Sequence, residues 1–558
     1  MRLSARHRSL VACPRRRGSI LVALVVALIV LSLIVIGVSL AGARDLDLTV
    51  HRAQWSQAQL AATAAADMAV KELYDNVDED GDGTIGTISG GTGGSGNPVI
   101  NGASFYASKS VSGSTTTVTA TGTGGNSTAV VQVTLSGAGA SGNSSRAFMA
   151  QGSNASVYQS VQTGGSWPTP AVSGSTYDIP AWIVAQPMPS PNVGKSIVAT
   201  MDESSNLNIG LAAVNGTASY TDVCSNLVGI NSRAFDVGVD VPDSKAVIVY
   251  WDGNNNVARY YTHNGTTLAG PTNIGLSLVS GGDYGQVFKL ATTGTTSTIS
   301  LLLGTQNGYL LASQWTGSGW SSQSTLSTNL PVSGTQMYYQ TFGSALETQT
   351  GRIIAVYADA SNNTYYRIYS SGSWGSQATL SGLSTPLNWV RLASCPGTNQ
   401  IYFAGLDTSN NAWAAQWSGS AWSTPVKIAS STGYADRQMV DVACSSDAST
   451  ILVAYGDNAN TIFYRTWTGS AWSSQQTGPN LGSSVYIVSL NPGPATSQIT
   501  CAASTGASAL YSAVWNGSSF SSAQTIQSNL SGYDQFQRFS VVPGSGSLTI
   551  TGWTRVLP

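Results

Sequence analysis

The chain has 558 residues, a formal net charge of −2 and only 9 % charged residues, far below the roughly 25 % usual for soluble proteins. That balance excludes electrostatic capture of nucleic acid, which needs clustered lysine and arginine. Gly, Ser, Thr and Asn carry the polarity, and 61 Gly, 15 Trp and 23 Tyr suit short strands joined by tight turns outside the cytoplasm.

Before Gly18 stand Arg2, Arg6, His7, Arg8 and Arg15 to Arg17, with no acid. From Ile20 to Leu40 the chain is uncharged and mostly apolar. At ~1.5 Å per residue that run spans about 31 Å, the thickness of a bilayer core. The basic flank places the N-terminus in the cytoplasm and the bulk of the chain outside. Ala41-Gly42-Ala43 imitates a signal-peptide cleavage site, but a secretory apolar region is usually only about 7–15 residues. Arg44 to Tyr74 lacks Gly and Pro, and Leu60, Ala61, Ala64, Ala65 and Met68 recur at helical steps. One continuous transmembrane and amphipathic helix over 19–76 is expected.

Arg15-Arg16-Arg17-Gly18, then Ser19-Ile20-Leu21-Val22-Ala23-Leu24-Val25 and an Ala-rich helix, resembles the N-terminus of type IV pilins. The nearest likeness is to PilX-type minor pilins and the K-type pseudopilins of type II secretion, over about residues 14–75. The resemblance implies a basic leader, residues 1–18, cut after Gly18 by a prepilin peptidase to leave Ser19 as the new N-terminus. It implies other pilin-like subunits and the bacterial inner membrane as partners of the helix, with the rest of the chain outside or on a surface pilus. Most major pilins carry Glu at the fifth mature position, where this chain has Ala23; that departure points to a minor or tip-located subunit. A plain signal-anchor helix is the alternative.

Residues 77–98 hold an acidic turn and a Gly-rich linker. Asp78, Asp80 and Asp82, followed by Gly83, Thr84 and Ile85, match the first half of an EF-hand-like calcium loop. Oxygens two residues apart converge on a hard cation, yet the twelfth position is Ser89 rather than a bidentate Glu. Calcium through Asp78, Asp80, Asp82 and Thr84, or a solvated turn without metal, are both open; no other cofactor is expected. Residues 99–136 alternate in the strand period at Val111, Val118, Ala120, Val131, Val133 and Leu135, a small antiparallel β domain with residues 121–126 as its turn. A second linker covers residues 137–145.

From residue 146 to 558 the chain repeats itself. Trp315 to Trp320, Trp417 to Trp422 and Trp467 to Trp472 are aromatic hairpins with Gly and Ser between. Tyr369 to Trp374 and Trp515 to Phe520 are weaker copies, and Leu268, Tyr220 and Trp167 mark degenerate ones. The eight anchors are 53, 48, 47, 54, 48, 50 and 48 residues apart. About four short strands at that period mark a β-propeller, eight-bladed, or seven-bladed if the terminal pieces pair differently. The two strands in Phe536 to Arg555 should join the outer strands in Ala147 to Val172 and close the ring. Asp202, Asp252, Asp359, Asp407 and Asp457 each open a turn, where Asp bonds its own backbone. The fold class is therefore mainly β: a long N-terminal helix, a small antiparallel domain and a C-terminal propeller.

Catalytic chemistry is hard to assemble. His263 is the only histidine of the repeats and reads as a surface turn residue, and no G-x-S-x-G elbow exists. Arg259, Arg367 and Arg465 each precede a third-strand aromatic by two residues, which suits a repeated structural face. Cys224, Cys395, Cys444 and Cys501 are far apart and read as small buried thiols, with disulfide pairing left open. The hairpins resemble the W-x-G-S-x-W turns of sugar-binding propeller lectins. That likeness makes Trp320, Trp374, Trp422 and Trp472 candidate sugar-stacking residues, with inter-blade packing as the plainer reading. The expectation is a non-catalytic minor pilin-like subunit displaying a propeller for adhesion or docking to a surface protein or glycan. The alternatives are a membrane-anchored lectin and, least favoured, an exported hydrolase.

Overall fold

The computed structural model describes residues 43–75, 80–82, 84, 86–88, 97–112, 115–136 and 145–556, the last without 163–164, 190, 193, 279–281, 293–295, 332–338, 384, 435, 458, 494–496, 533–535 and 544–548. Gly18, Ser19, Ala23, the apolar run and Asp78 lie outside the described residues. Among the described residues no helix is long and apolar enough to cross a membrane.

Helix α1, Ala43–Asp75, lies on an antiparallel sheet whose strands Val99–Ile100, Ala103–Ser112, Thr115–Gly124 and Ser127–Ser136 follow in chain order. Its buried stripe is Ala58, Ala61, Ala62, Ala65, Ala66, Ala69 and Val70, packed on Phe105, Val118, Ala120, Val131, Val133 and Leu135. Of the expected stripe, Ala61 and Ala65 are fully buried and Met68 packs against the cluster, Ala64 is half-buried, and Leu60 fails, being 59 % exposed on the solvent side. The expected turn over residues 121–126 is also corrected. Gly122 and Gly124 are strand residues, and only Gly125 and Asn126 turn the chain. A Cβ on Gly124 would sit 2.8 Å from the Gln54 carbonyl oxygen, so glycine serves helix docking there rather than chain reversal.

Residues 145–543 form eight sheets, here numbered I to VIII. Sheet I joins Phe539–Pro543 to Ser145–Ala150, Ser156–Val161 and Ala171–Ser175. Sheets II to VIII follow in chain order over 180–224, 235–273, 285–327, 342–379, 387–429, 440–480 and 485–527. Each is an antiparallel meander, and the first strand of each lies beside the first strand of the next, with Phe539–Pro543 beside both Val485–Pro492 and Pro180–Pro187. The sheets thus return on themselves in a propeller-like ring, and among the described residues each sheet has another on either side.

One expectation fails at the C-terminus. Only Phe539–Pro543 enters the ring, where Pro543 pairs with Ser145. Thr549–Val556 leaves it and pairs antiparallel with Ser127–Ser136 of the small sheet. The small domain is therefore discontinuous, and the ring is inserted between its fourth and fifth strands. The ring does not extend to residue 558 as the repeat pattern suggested.

A longer period underlies the repeat of about fifty residues. The first strands of sheets II, IV, VI and VIII, Pro180–Pro187, Gly285–Thr292, Leu387–Ser394 and Val485–Pro492, are eight residues long and shift register after their first residue. Those of sheets III, V, VII and I, Phe235–Asp240, Phe342–Leu346, Val440–Cys444 and Phe539–Pro543, are shorter and pair without a shift. Sheets therefore alternate, and the structural unit is a pair of sheets.

Cys395 and Cys444 form a disulfide that ties sheet VI to sheet VII, while Cys224 and Cys501 are free and buried. The reading of all four as plain buried thiols is corrected for this pair, which the ring brings to a Cα–Cα distance of 5.3 Å.

Candidate functional site

The aromatic hairpins form as expected. Trp315 bridges Trp320, Trp417 bridges Trp422, Trp467 bridges Trp472 and Trp515 bridges Phe520. Gly317, Gly419, Gly469 and Gly517 take φ values of 93–98° in these turns, a region open to glycine at little cost. Within each pair the rings meet at 5.4–5.7 Å. Each pair also packs on an aromatic of the preceding sheet: Tyr260, Tyr366, Tyr402 and Tyr464 at 5.1–6.1 Å from Trp315, Trp417, Trp467 and Trp515. Such edge-to-face pairs stabilise by about 0.5–1.5 kcal/mol beyond area burial.

Charged groups reinforce the braces. Trp315 Nε1 donates to Asp240 at 2.8 Å and Trp417 Nε1 to Glu347 at 2.7 Å, each acid in the preceding sheet or at its edge. Lys245 and Arg352 donate to the turn carbonyls of Gly317 and Gly419 in the following sheet. Trp320, Trp374, Trp422 and Trp472 are half-buried, each on a different sheet, and the structure does not bring them together. In Trp320, Trp422 and Trp472 one ring edge or face is already spent on the neighbouring sheet.

The Asx turns are present at all five expected aspartates. Oδ1 of Asp202, Asp252, Asp359, Asp407 and Asp457 accepts N–H bonds from Ser204, Asn254, Ser361, Ser409 and Ala459 at 2.8–3.1 Å. His263 departs from expectation: it is buried, and its Nδ1 accepts the Gly265 N–H at 2.9 Å. Burial, then Lys195, holds its pKa below the ordinary value, so at the end of strand Val257–His263 it is a neutral structural acceptor. At the acidic turn, Asp82 accepts from Thr84 N–H at 2.7 Å and Thr87 Oγ1 at 2.8 Å, and Asp80 accepts from Asp82 N–H. Glu72 of α1, fully buried, accepts from the backbone of Asp80 and Gly86 and so anchors this turn to the helix. Among the described residues no three His, Cys, Asp or Glu side chains group to hold a metal ion.

A different constellation occupies the clefts between sheets. Between sheets IV and V a groove of about 270 Å³ is lined by residues 325–329, Asp359, Tyr365, Arg367 and Gln377. Between sheets VI and VII a groove of about 450 Å³ is lined by residues 429–432, Tyr455, Asp457, Phe463 and Gln475. The two are the same site one sheet-pair apart. Tyr357 and Tyr455, both buried, set their hydroxyls 3.2 Å from the carbonyls of Leu326 and Ile428 across the cleft. The same hydroxyls lie 3.0 Å from Oε1 of Gln377 and Gln475. Arg367 Nε donates to the Tyr357 hydroxyl at 3.3 Å, while Arg465, at the matching position, donates through Nη1 to the Ser473 carbonyl at 3.0 Å. Burial foremost raises both tyrosine pKa values, so both hydroxyls stay protonated. Neither Arg367 nor Arg465 has an ion-pair partner among the described residues.

At the matching cleft between sheets II and III, Tyr250 and Asp252 keep the Tyr-x-Asp pattern, but Arg259 pairs with Asp252 at 2.7 Å instead. The corresponding residues of sheet I are Met149 and Gln151. The even-numbered sheets have Thr200, Leu303, Gly405 and Ala503 where the tyrosine would stand. Sequence reasoning noticed Arg367 and Arg465 and the aspartates but missed the grooves. The recurring Tyr-x-Asp of alternate repeats was the available signal.

No protein-family model matches the chain, and no curated protein sequence does. Among solved structures it is similar to the BP39L lectin of Burkholderia pseudomallei, at 12 % identity and a TM-score of 0.47, over 62 % of this chain and 99 % of that one. It is also similar to the Aleuria aurantia lectin, described as a six-bladed β-propeller with a fucose recognition mode, at 14 % identity and a TM-score of 0.31, over 55 % and 93 %. A third is AofleA of Arthrobotrys oligospora, at 12 % identity and 0.33, over 53 % and 85 %. These likenesses are faint, and the ring described above rests on strand pairing alone.

Proposed function

We propose that the chain displays a non-catalytic, eight-bladed β-propeller that binds glycans in grooves between alternate blades. The observation that carries this reading is the repetition of one groove, with tyrosine, glutamine and an arginine lacking an ion pair, at the IV/V and VI/VII clefts. A half-buried guanidinium offers fixed donors to sugar hydroxyls, the Asn, Ser and Thr rim offers both donors and acceptors, and Tyr365 or Phe463 offers an apolar face. The eight sheets and the cyclic order of their first strands support the blade number.

A glycan array on the full chain tests the reading, with α-L-fucosides on the panel beside galactose, mannose and sialylated glycans. Binding that falls at least tenfold in the Arg367→Ala, Arg465→Ala double variant is expected. Silence across the array, or binding indifferent to both substitutions, removes the proposal.

A second reading concerns delivery. An Ala-striped helix on an antiparallel sheet, following Arg15 to Gly18, supports a pilin-like carrier held in the inner membrane or assembled with other pilin-like subunits. Mass spectrometry of the mature protein should give Ser19 as its first residue; Met1 or Arg44 would sink the idea. Calcium at Asp78, Asp80, Asp82 and Thr84 is a separate proposal. It requires a thermal shift with millimolar calcium that an Asp80→Ala, Asp82→Ala variant lacks.

A further inference from the structure

The ring axis carries a chemistry that the sugar reading does not use. Its first strands enclose a cavity of about 450 Å³ whose charged lining residues are Lys289, Arg391 and Asp441. Alternate junctions along this axis share one device. The N–H groups of Phe288, Val390, Val488 and Ile183 donate to the carbonyls of Arg233, Gln340, Gln438 and Gln537 in the preceding sheet. Two residues further along, the next N–H on the same edge needs a second acceptor. Asp236 supplies it for Leu290 at 2.7 Å, Asp441 for Leu490 at 2.9 Å and Ser540 for Ala185 at 3.1 Å.

At the fourth junction, between sheets V and VI, the acceptor is missing. The position of Asp236 and Asp441 is taken by Gly343, and the exposed edge N–H is that of Leu392. Among the described residues Leu392 N–H has no acceptor there. Leu392 is half-buried and lines the cavity, so this N–H is open to whatever fills it. The next residue, Ser344, lines the cavity and has a buried hydroxyl without a hydrogen-bond partner. Lys289 and Arg391 stand on the strands either side of Gly343.

The charge balance points the same way. Arg233 and Lys289 share Asp236, at 3.7 and 3.5 Å, and Arg391 takes Asp441 at 2.9 Å. Three cations thus face two carboxylates, leaving one positive charge at the axis. We propose that the gap at Gly343 binds one small carboxylate or other oxyanion, held by Leu392 N–H, Lys289 and Arg391. The ligand replaces the carboxylate that Asp236 and Asp441 provide at the sister junctions. A Cβ at Gly343 would meet Val390 O at 3.3 Å and Cγ1 at 3.4 Å, so a side chain fits there once sheet VI gives by a few tenths of an ångström. The chain can therefore be made to supply its own acid.

The test uses the full chain. Sodium acetate and inorganic phosphate are titrated separately against sodium chloride at matched ionic strength, following heat of binding and thermal unfolding. One saturable site per chain and a rising Tm are expected for the preferred anion. Gly343→Asp should unfold at a higher temperature without anion and bind it at least tenfold more weakly; Arg391→Gln should weaken binding likewise. If Gly343→Asp does not fold, the Arg391→Gln titration alone reads the gap, with the same tenfold loss expected. Acetate preference assigns a carboxylate ligand, and phosphate preference a tetrahedral oxyanion. Saturable binding of neither, or unchanged titration of the variants, overturns the proposal without touching the glycan grooves.

Discussion

A Cβ added to Gly122 would stand 2.5 Å from the amide nitrogen of Ala62, so strand and helix meet backbone to backbone. No side chain can be inserted there without moving α1. Gly122→Val is expected to cost at least about 1–3 kcal/mol, the usual range for overpacking. Limited proteolysis should then cut within 43–75 while the ring sheets persist by circular dichroism; an unaltered helix would show that the sheet yields instead.

The Cys395–Cys444 disulfide closes a loop between residues 49 apart. On chain-entropy grounds such a link adds about 4 kcal/mol at most, and about 2–4 kcal/mol in practice. Cys395→Ser with Cys444→Ser should lower the Tm measurably, and reductant should lower the parent toward the variant. Equal melting of parent and variant under oxidising conditions would exclude a stabilising role.

The two C-terminal strands have separate tasks, because Phe539–Pro543 closes the ring and Thr549–Val556 completes the small sheet. Deleting residues 544–558 should leave ring melting intact and uncover the edge strand Ser127–Ser136. Deleting residues 536–558 should open sheet I and abolish cooperative ring unfolding. Differential scanning calorimetry of both truncations distinguishes them; loss of the ring in the shorter deletion would contradict the assignment.

Alkaline stability should depend on Cys501. Burial, then Asp441, pushes its thiol pKa up from 9.0 to about 12. Between those values the unfolded chain loses this proton while the folded chain keeps it, so stability falls as pH rises, by at most about 1.4 kcal/mol per pH unit. Lys289, lowered by burial to about 8, works in the opposite direction over a lower window. Comparison with Cys501→Ala isolates the thiol. Denaturant midpoints from pH 8 to 11 should decline less steeply in that variant, and parallel curves would refute the assignment.

The sequence by itself determined the local features whose causes are local. Trp-x-Gly-Ser hairpins, Asx turns at Asp202 to Asp457 and the helical stretch ending near Tyr74 depend on residues a few positions apart. Each was legible, and each is present. The period of about fifty residues likewise announced a ring of similar sheets.

Tertiary structure decided what depends on residues far apart in the chain. Gly122 and Gly124 look like turn residues until a helix is placed on them. The pairing of Thr549–Val556 with Ser127–Ser136, and of Cys395 with Cys444, needs the closed ring to bring the partners together. Sheet alternation was hidden because paired repeats differ in strand length and register, which composition barely records. The grooves and the gap at Gly343 are properties of two facing sheets, and a single repeat read alone contains only half of either.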